Sequence, residues 1–267
     1  MANKLEYKDL LDAGVHFGHL TRKWDPRMAP YIFMEKNGIH IIDLNKTLGC
    51  LEEASKALKG IVRSGRKVMF VATKKQARDI VAEESKRLNM PFATERWLGG
   101  MLTNFATMRK SLKKMSSIDK LMKDEAYLNL AKRERLMITR EKEKLERVLG
   151  GIADLTRLPA ALFVIDVKKE HIAVKEAQKL NIPVFGMVDT NSNPNGVDFP
   201  IPSNDDAFKS ISLITTYVGS VIEEALQERK KDKDEANLKK EEAAKKEETA
   251  KKESAAEKAV EVKDKAE

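Results

Sequence analysis

Two short stretches combine a cation, a large ring and turn-forming residues, the ingredients of a phosphate or nucleic-acid contact. In "ERWLGGMLTNF", residues 95–105, Arg96 and Trp97 precede Gly99 and Gly100, and Thr103-Asn104 follow as a helix-capping pair. Glycine lets backbone approach a partner closely, a helix start offers unpaired amides to an anion, and indole or guanidinium stacks on bases and sugars. The same residues would equally suit a tight structural corner with a buried tryptophan filling a gap. In "GVHFGHLTRKWDPRMAP", 14–30, Arg22, Lys23, Trp24 and Arg27 surround a proline. Cations flanking Trp24 fit phosphate contacts, whereas Phe17 and Tyr31 fit an arm packed across a body.

Two further constellations bear on chemistry. His16 and His19, with Asp189, Asp205 and Asp206 near predicted strand ends or loops, are of the types that ligate zinc. Their spacing is loose, so no metal and no cofactor is expected; His16, His19, Asp189 and Asp205 are the candidates for a structural ion. "VMFVATKKQ", "LFVIDVKKEH" and "FGMVDTNSNP" each end an apolar run in polar groups, where doubly wound sheets bind ligands. Asp166, Asp189, Lys74 and Lys168 could there form a nucleotide or phosphotransfer site. However, the chain has neither G-x-G-x-x-G nor G-x-x-x-x-G-K-[ST], and no nucleophile beside a base. The aspartates read better as turn caps, so no catalytic residue is assigned.

The elements that must hold these residues alternate along the chain. "GIHIID" (38–43) reads as a strand, followed by a helix with Leu48, Leu51, Ala54, Leu58, Ile61 and Val62 at three-to-four spacing. "KVMFVAT" (67–73) is a continuous apolar run suited to a strand buried on both faces. A helix with Ala77, Ile80, Val81 and Leu88 stops at Asn89, before Pro91. Then come a strand over 160–167, a helix from Glu170 to about Asn181, a strand over 183–189 and a last helix presenting Ala207 to Leu226. Strand–helix–strand repetition implies an α/β fold with a parallel sheet. Between these units, Phe105, Met108, Leu112, Met115 and Ile118, then Ile138, Leu145 and Val148, predict an antiparallel helical hairpin over 104–149. Its bend would lie near Lys123–Ala126, and its apolar residues would be spent on the seam between the helices.

Charge is unevenly placed. The chain of 267 residues carries 50 Lys+Arg against 42 Asp+Glu. Within 104–149 the count is 13 basic against 7 acidic, which favours a polyanionic partner for that segment. Residues 229–267 hold 13 basic and 12 acidic residues in "KKEEAA"-type hexads without Gly, Pro or aromatic residues, and are expected to be disordered. Cys50 is the only cysteine, which excludes an internal disulfide. The start has no apolar signal region and no apolar run approaches the ~20 residues needed to span a bilayer, so a cytoplasmic protein is expected.

"AGVHFGHLTRKWDPRMAPYIF", "NGIHIIDLNKT", "ERWLGGMLTNF", "EHIAVKEAQKLNIPV" and "VDTNSNPNGVDFPIPSNDDA" together resemble the bacterial small-subunit ribosomal protein S-two family, in order, over about residues 1–228. The resemblance implies a flavodoxin-like α/β body (1–103 and 150–228, with 1–37 an N-terminal arm), an inserted helical coiled-coil hairpin (104–149) and a tail (229–267). It implies a non-enzymatic constituent of the small ribosomal subunit, bound to 16S rRNA between head and body and helping to anchor ribosomal protein S-one. By position it assigns rRNA contact to Arg22, Lys23, Trp24, Arg27, Lys74, Lys75, Arg96, Trp97, Gly99, Gly100, Thr103 and Asn104. Arg109, Lys110, Lys113 and Lys114 would be phosphate neighbours on the hairpin. The chain has Ser192, Asn193 and Asn195 where relatives often have Cys and Asp, which removes possible metal ligands. Neighbouring small-subunit proteins are implied partners; neither a membrane nor a second copy is. The reading set against it is a nucleotide- or phosphate-binding α/β enzyme using the strand ends near Asp166 and Asp189.

Overall fold

Five parallel strands build the centre of the protein, in the order β5-β4-β6-β7-β8. They are β4 (Val68–Val71), β5 (Phe92–Ala93), β6 (Ala161–Ile165), β7 (Val184–Val188) and β8 (Phe199–Pro202). The computed structural model describes residues 5–124, 127, 129–232 and 234. The chain divides into two compact units, Met1–Ala225 and Leu226–Glu267. In the second unit residues 226–232 are helical, and most of the tail expected over 229–267 lies outside the described residues. Residues 233 and 235–267 lie outside the described ones.

Every residue of β4, β6 and β7 is buried, which is why these strands read as continuous apolar runs rather than alternating ones. Their register places one phenylalanine from each strand in a single row, Phe92, Phe70, Phe163, Phe185 and Phe199. Phe70 meets Phe163 edge-on at 5.5 Å, and Phe185 stacks on Phe199 at 4.5 Å. Aromatic pairs of this kind add to burial and pin the register. On the opposite face of the same strands, Met69, Val71, Leu162, Val164, Val184 and Val188 form one core with Trp97, Met101, Leu102, Met108 and Ala173.

Helices connect the strands as expected: α2 (Leu44–Arg63), α3 (Lys75–Arg87), α6 (His171–Lys179) and, within the first unit, α7 over 208–225, preceded by a short α1 (Tyr7–Asp12). Asp43 caps α2 by accepting from Asn45 N at 3.0 Å. Strand β8 escaped the sequence reading because Pro200 and Pro202 argue against a strand. It is tolerated because β8 is a sheet edge, where a missing N–H costs no ladder bond.

The strand at 38–43 is present as β3 (Ile39–Ile42), but it does not join the parallel sheet. It pairs antiparallel with β1 (Phe17–Leu20) and β2 (Ile32–Lys36) in a separate three-stranded sheet. The cause is local. Asn37 and Gly38 both adopt positive φ, 53° and 73°, the backbone of a tight hairpin turn that folds β3 back on β2.

Between β5 and β6, the segment 104–149 holds α4 (Phe105–Leu121) and α5 (Lys132–Leu149). They are bridged by Lys114 to Glu141 and by Lys142 Nζ to Asp119 Oδ1 at 2.7 Å. Met108, Leu112, Met115 and Ile118 form the buried stripe of α4, but only Leu149 is fully buried on α5. Leu136 and Met137 stay 50% and 62% exposed, so the apolar residues here are not all spent on the seam. The bend placed near Lys123–Ala126 lies partly outside the described residues. Among the described residues no helix is long and apolar enough to cross a membrane.

Replacing Phe163 with alanine should cost about 3–5 kcal/mol, because the central ring of the row is fully buried and its cavity cannot collapse between two neighbouring strands. Phe92→Ala, at the sheet edge, should cost clearly less. Urea unfolding of the two variants measures the difference.

Candidate nucleic-acid interface

The turn over 95–104 is an anion cradle, but the anion comes from the protein. Glu176, in the middle of α6, turns its carboxylate into the loop and is buried there. Its Oε1 accepts from Gly100 N at 2.7 Å and Trp97 Nε1 at 3.2 Å. Its Oε2 accepts from Leu102 N at 2.9 Å and from Thr103 N and Oγ1 at 3.1 and 3.3 Å. Burial raises the carboxyl pKa, yet the donors of Thr103, Leu102, Gly100 and Trp97 outweigh it and hold the group below the usual carboxylate range. Trp97 is 6% exposed and belongs to the core.

This geometry corrects the stacking and phosphate roles expected of the turn. Trp97 has no free face, and the amides of Gly100 and Thr103 are already spent. Gly100 is a glycine because its φ is +85°. Asn104 occupies the cap of α4 without a side-chain capping bond, and the Thr103 hydroxyl serves Glu176 instead. What the turn still offers a partner is Arg96, the exposed Gly99 and the exposed Asn104, whose side chain makes no capping bond.

The other expected cations sort by whether an acid already holds them. Lys74 is 13% exposed, with Nζ 2.8 Å from Asp205 Oδ1, 2.6 Å from Asp206 Oδ1 and 3.6 Å from Asp166 Oδ2. Burial lowers its pKa, but Asp205, Asp206 and Asp166 together raise it well above the ordinary lysine value. Its charge is already paired with these three acids, whereas Lys75, the next residue, is exposed. Likewise Lys114 is bridged to Glu141. Arg109, Lys110 and Lys113 stand exposed on α4 with no acidic partner among the described residues. Arg22, Lys23 and Arg27 are exposed on the short helical turns between β1 and β2, and Trp24 is 37% exposed beside them.

Of the metal candidates, the structure brings together His19, Asp205 and Asp206, whose ligand atoms lie within 4.8 Å of one another. Asp189 Oδ2 sits 2.9 Å from His19 Nδ1, leaving Nε2 toward Asp206 Oδ2 at 3.2 Å. A carboxylate behind a histidine is how metal sites orient a ligand ring. Asp205 Oδ2 is buried without a hydrogen-bond partner, so a divalent cation would be chemically suited here. His16 is not part of the group; its ring packs on Phe17 at 4.0 Å. Burial, then the charges of Asp189 and Asp166, pushes Asp205 up to about 7. The hydrogen bond to Asp189 raises His19 despite its burial. Gly18 secures this corner: a Cβ there would lie 2.6 Å from Thr190 Cγ2.

The strand-end aspartates are spent on structure. Asp166, at φ 64°, accepts from Lys169 N at 3.0 Å and so closes the turn after β6. Asp189 Oδ1 accepts from the Thr190 hydroxyl at 3.1 Å. Sequence reading missed the residues that matter beside them. Glu176 gave no signal, because a lone Glu in a helix is ordinarily solvated. His171, Lys175 and Gln178 did carry one: spacings of four and three put them on one face of α6. With Lys23, Trp24 and Lys168 they line an open crevice of about 520 Å³ at the ends of β6 and β7.

Residues 10–225 match the family model described as Ribosomal protein S2. The chain is 76% identical over 242 residues to the small ribosomal subunit protein uS2 of Cytophaga hutchinsonii, spanning 91% of this chain and 95% of that relative. It is 64% identical over 234 residues to the protein of the same name from Flavobacterium johnsoniae, spanning 88% and 92%. The counterpart from Bacteroides thetaiotaomicron is 61% identical over 231 residues, spanning 86% and 83%.

Glu176→Gln should destabilise the protein by about 1–3 kcal/mol at neutral pH, since a carboxamide turns an N–H₂ toward donors that need an acceptor. A carboxyl held below its unfolded value contributes stability above that value and loses it as pH falls through the folded one. The gap between wild type and Glu176→Gln in urea unfolding should therefore narrow as pH drops below about 4.5, the reference value for this group. A gap constant down to pH 3 would contradict a charged Glu176.

Proposed function

We propose, from the fact that the chain belongs to the Ribosomal protein S2 family, a family of ribosomal structural proteins and not of enzymes, that it is a structural constituent of the small ribosomal subunit that binds 16S rRNA. In this reading it sits between head and body of the subunit, bound to the ribosome rather than to a membrane, and helps recruit ribosomal protein S-one. The α/β body is a rigid platform, and the RNA-facing groups are the cations that no acid has claimed.

The observation that carries the reading is the outer face of α4. Arg109, Lys110 and Lys113 stand there exposed and without acidic partners, on a helix whose one acid, Asp119, is already paired with Lys142. Arg22, Lys23, Arg27, Lys75 and Arg96 add exposed charge. Cations without an acidic neighbour bring no counter-charge that a phosphate must displace, and phosphate contacts made by such cations release condensed counterions. Contacts of this sort position a protein on RNA without reading its bases.

The salt slope of 16S rRNA binding separates the two kinds of lysine. Lys113→Ala should lower the slope of log affinity against log salt by about one, the loss of one phosphate contact. Lys114→Ala should lower it by less, because Glu141 already neutralises that ammonium. Cosedimentation of the chain with small subunits, lost on ribonuclease treatment and reduced in high salt, is the expected outcome in gradients of cell lysate. A chain that stays at the top of the gradient in every condition would overturn the reading.

A further inference from the structure

We propose that the crevice between Trp24 and α6 takes one unpaired nucleotide of an RNA strand, its base stacked on the Trp24 indole and its phosphates held by Lys23, Lys168 and Lys175. The inference rests on the rRNA-binding reading and goes beyond it, because it names a single-stranded nucleotide site in addition to contacts along a backbone.

Size, shape and chemistry converge on this class of ligand. At about 520 Å³ the crevice is of the volume that accepts a small organic ligand. It opens at the carboxyl ends of β6 and β7, where a doubly wound sheet leaves room for a nucleotide. Trp24 is held in place from one side by the ring of His40, 5.1 Å away and tilted by 45°, while 37% of the residue remains exposed. An indole fixed in this way is a stacking platform that loses little freedom on binding.

The charge around it is one-sided. Three lysines and His171 face a single lining carboxylate, Asp25, and that one already accepts from Arg27 N at 2.9 Å. The loop after β7 brings amides rather than acids. Asn191 accepts from the Ser192 hydroxyl at 2.8 Å through Oδ1, which leaves its N–H₂ to donate to a base edge. The walls are also fixed: Asp25 N donates to Thr190 O at 2.8 Å, tying the tryptophan's segment to the sheet, and Gln178 Nε2 donates to Gly196 O at 3.0 Å, tying α6 to the loop. A preformed, donor-lined slot with an aromatic wall fits a base and its phosphates. Double-stranded RNA could not enter it, because its bases are stacked and paired inside the duplex.

The test uses the full chain and three probes: a 12-nucleotide single-stranded RNA, a duplex of the same length, and free nucleoside monophosphate. Trp24→Ala should weaken single-strand binding by about fivefold or more, the typical loss for one stacked base, and Trp24→Phe should restore most of it. Lys175→Ala should weaken it too and lower the salt slope by about 0.7, the single-strand value for one phosphate contact. Duplex binding should be unchanged in Trp24→Ala. Saturable binding of the monophosphate alone, as tight as that of the single strand, would overturn the proposal in favour of a free-nucleotide site. Unchanged single-strand affinity in Trp24→Ala, with 16S rRNA binding intact in the wild type, would sink the crevice and leave the rRNA reading standing. Failure of the wild type to bind 16S rRNA at all would remove both.

Discussion

One buried carboxylate holds together the parts of this protein that face outward. Glu176 lies in the interior, where an ionised group survives only if its oxygens are hydrogen-bonded. Three backbone amides, an indole and a hydroxyl converge on it, so the turn over 97–103 can take only one shape around α6. That turn leads directly into α4. The direction in which α4 leaves the body, and hence where Arg109, Lys110 and Lys113 stand, is set by this bond network together with Met108, Leu112 and Met115 of α4, which pack in the same core. The core repeats the arrangement, with Trp97, Met101 and Leu102 packed in one cluster with Ala173 and Ala177 of α6.

A second polar network closes the ligand end of the sheet. Lys74 before α3, Asp166 after β6, Asp189 after β7, Asp205 and Asp206 before α7, and His19 from β1 all meet there. In a doubly wound enzyme this is where substrate and cofactor sit. Here part of that space is occupied by the protein's own ion pairs, which bind the N-terminal sheet to the body. Fold alone therefore does not argue for catalysis, and the site-by-site reading agrees with the structural role of the family. The crevice beside Trp24 is the portion of that end left open.

The cations divide accordingly. Lys74 and Lys75 are neighbours in sequence, yet Lys74 is held among acids and Lys75 faces solvent; Lys113 and Lys114 both face solvent, and only Lys114 has an acid, Glu141, beside it. A held lysine brings its own counter-charge to any surface it touches, and a free one does not. Net charge therefore overstates how strongly such a surface attracts a polyanion; the unpaired cations measure it better.

The sequence by itself determined the α/β class, the alternating helices and strands of the body, the buried stripe of α4 and the family. These rest on periodicity and on runs of apolar residues, which depend on neighbours along the chain. Asn37-Gly38 also carried its hairpin signal, overlooked because β3 read as the first strand of a parallel series. Only the tertiary structure decided that Trp97 is internal, that Lys74 is spent, and that His19 rather than His16 joins the aspartates. It alone brought Trp24 against Lys168 and Lys175. Each of these is a meeting of side chains far apart in sequence, such as Trp97 with Glu176, and residue type does not say whether a charge or a ring finds its partner inside the protein or outside it.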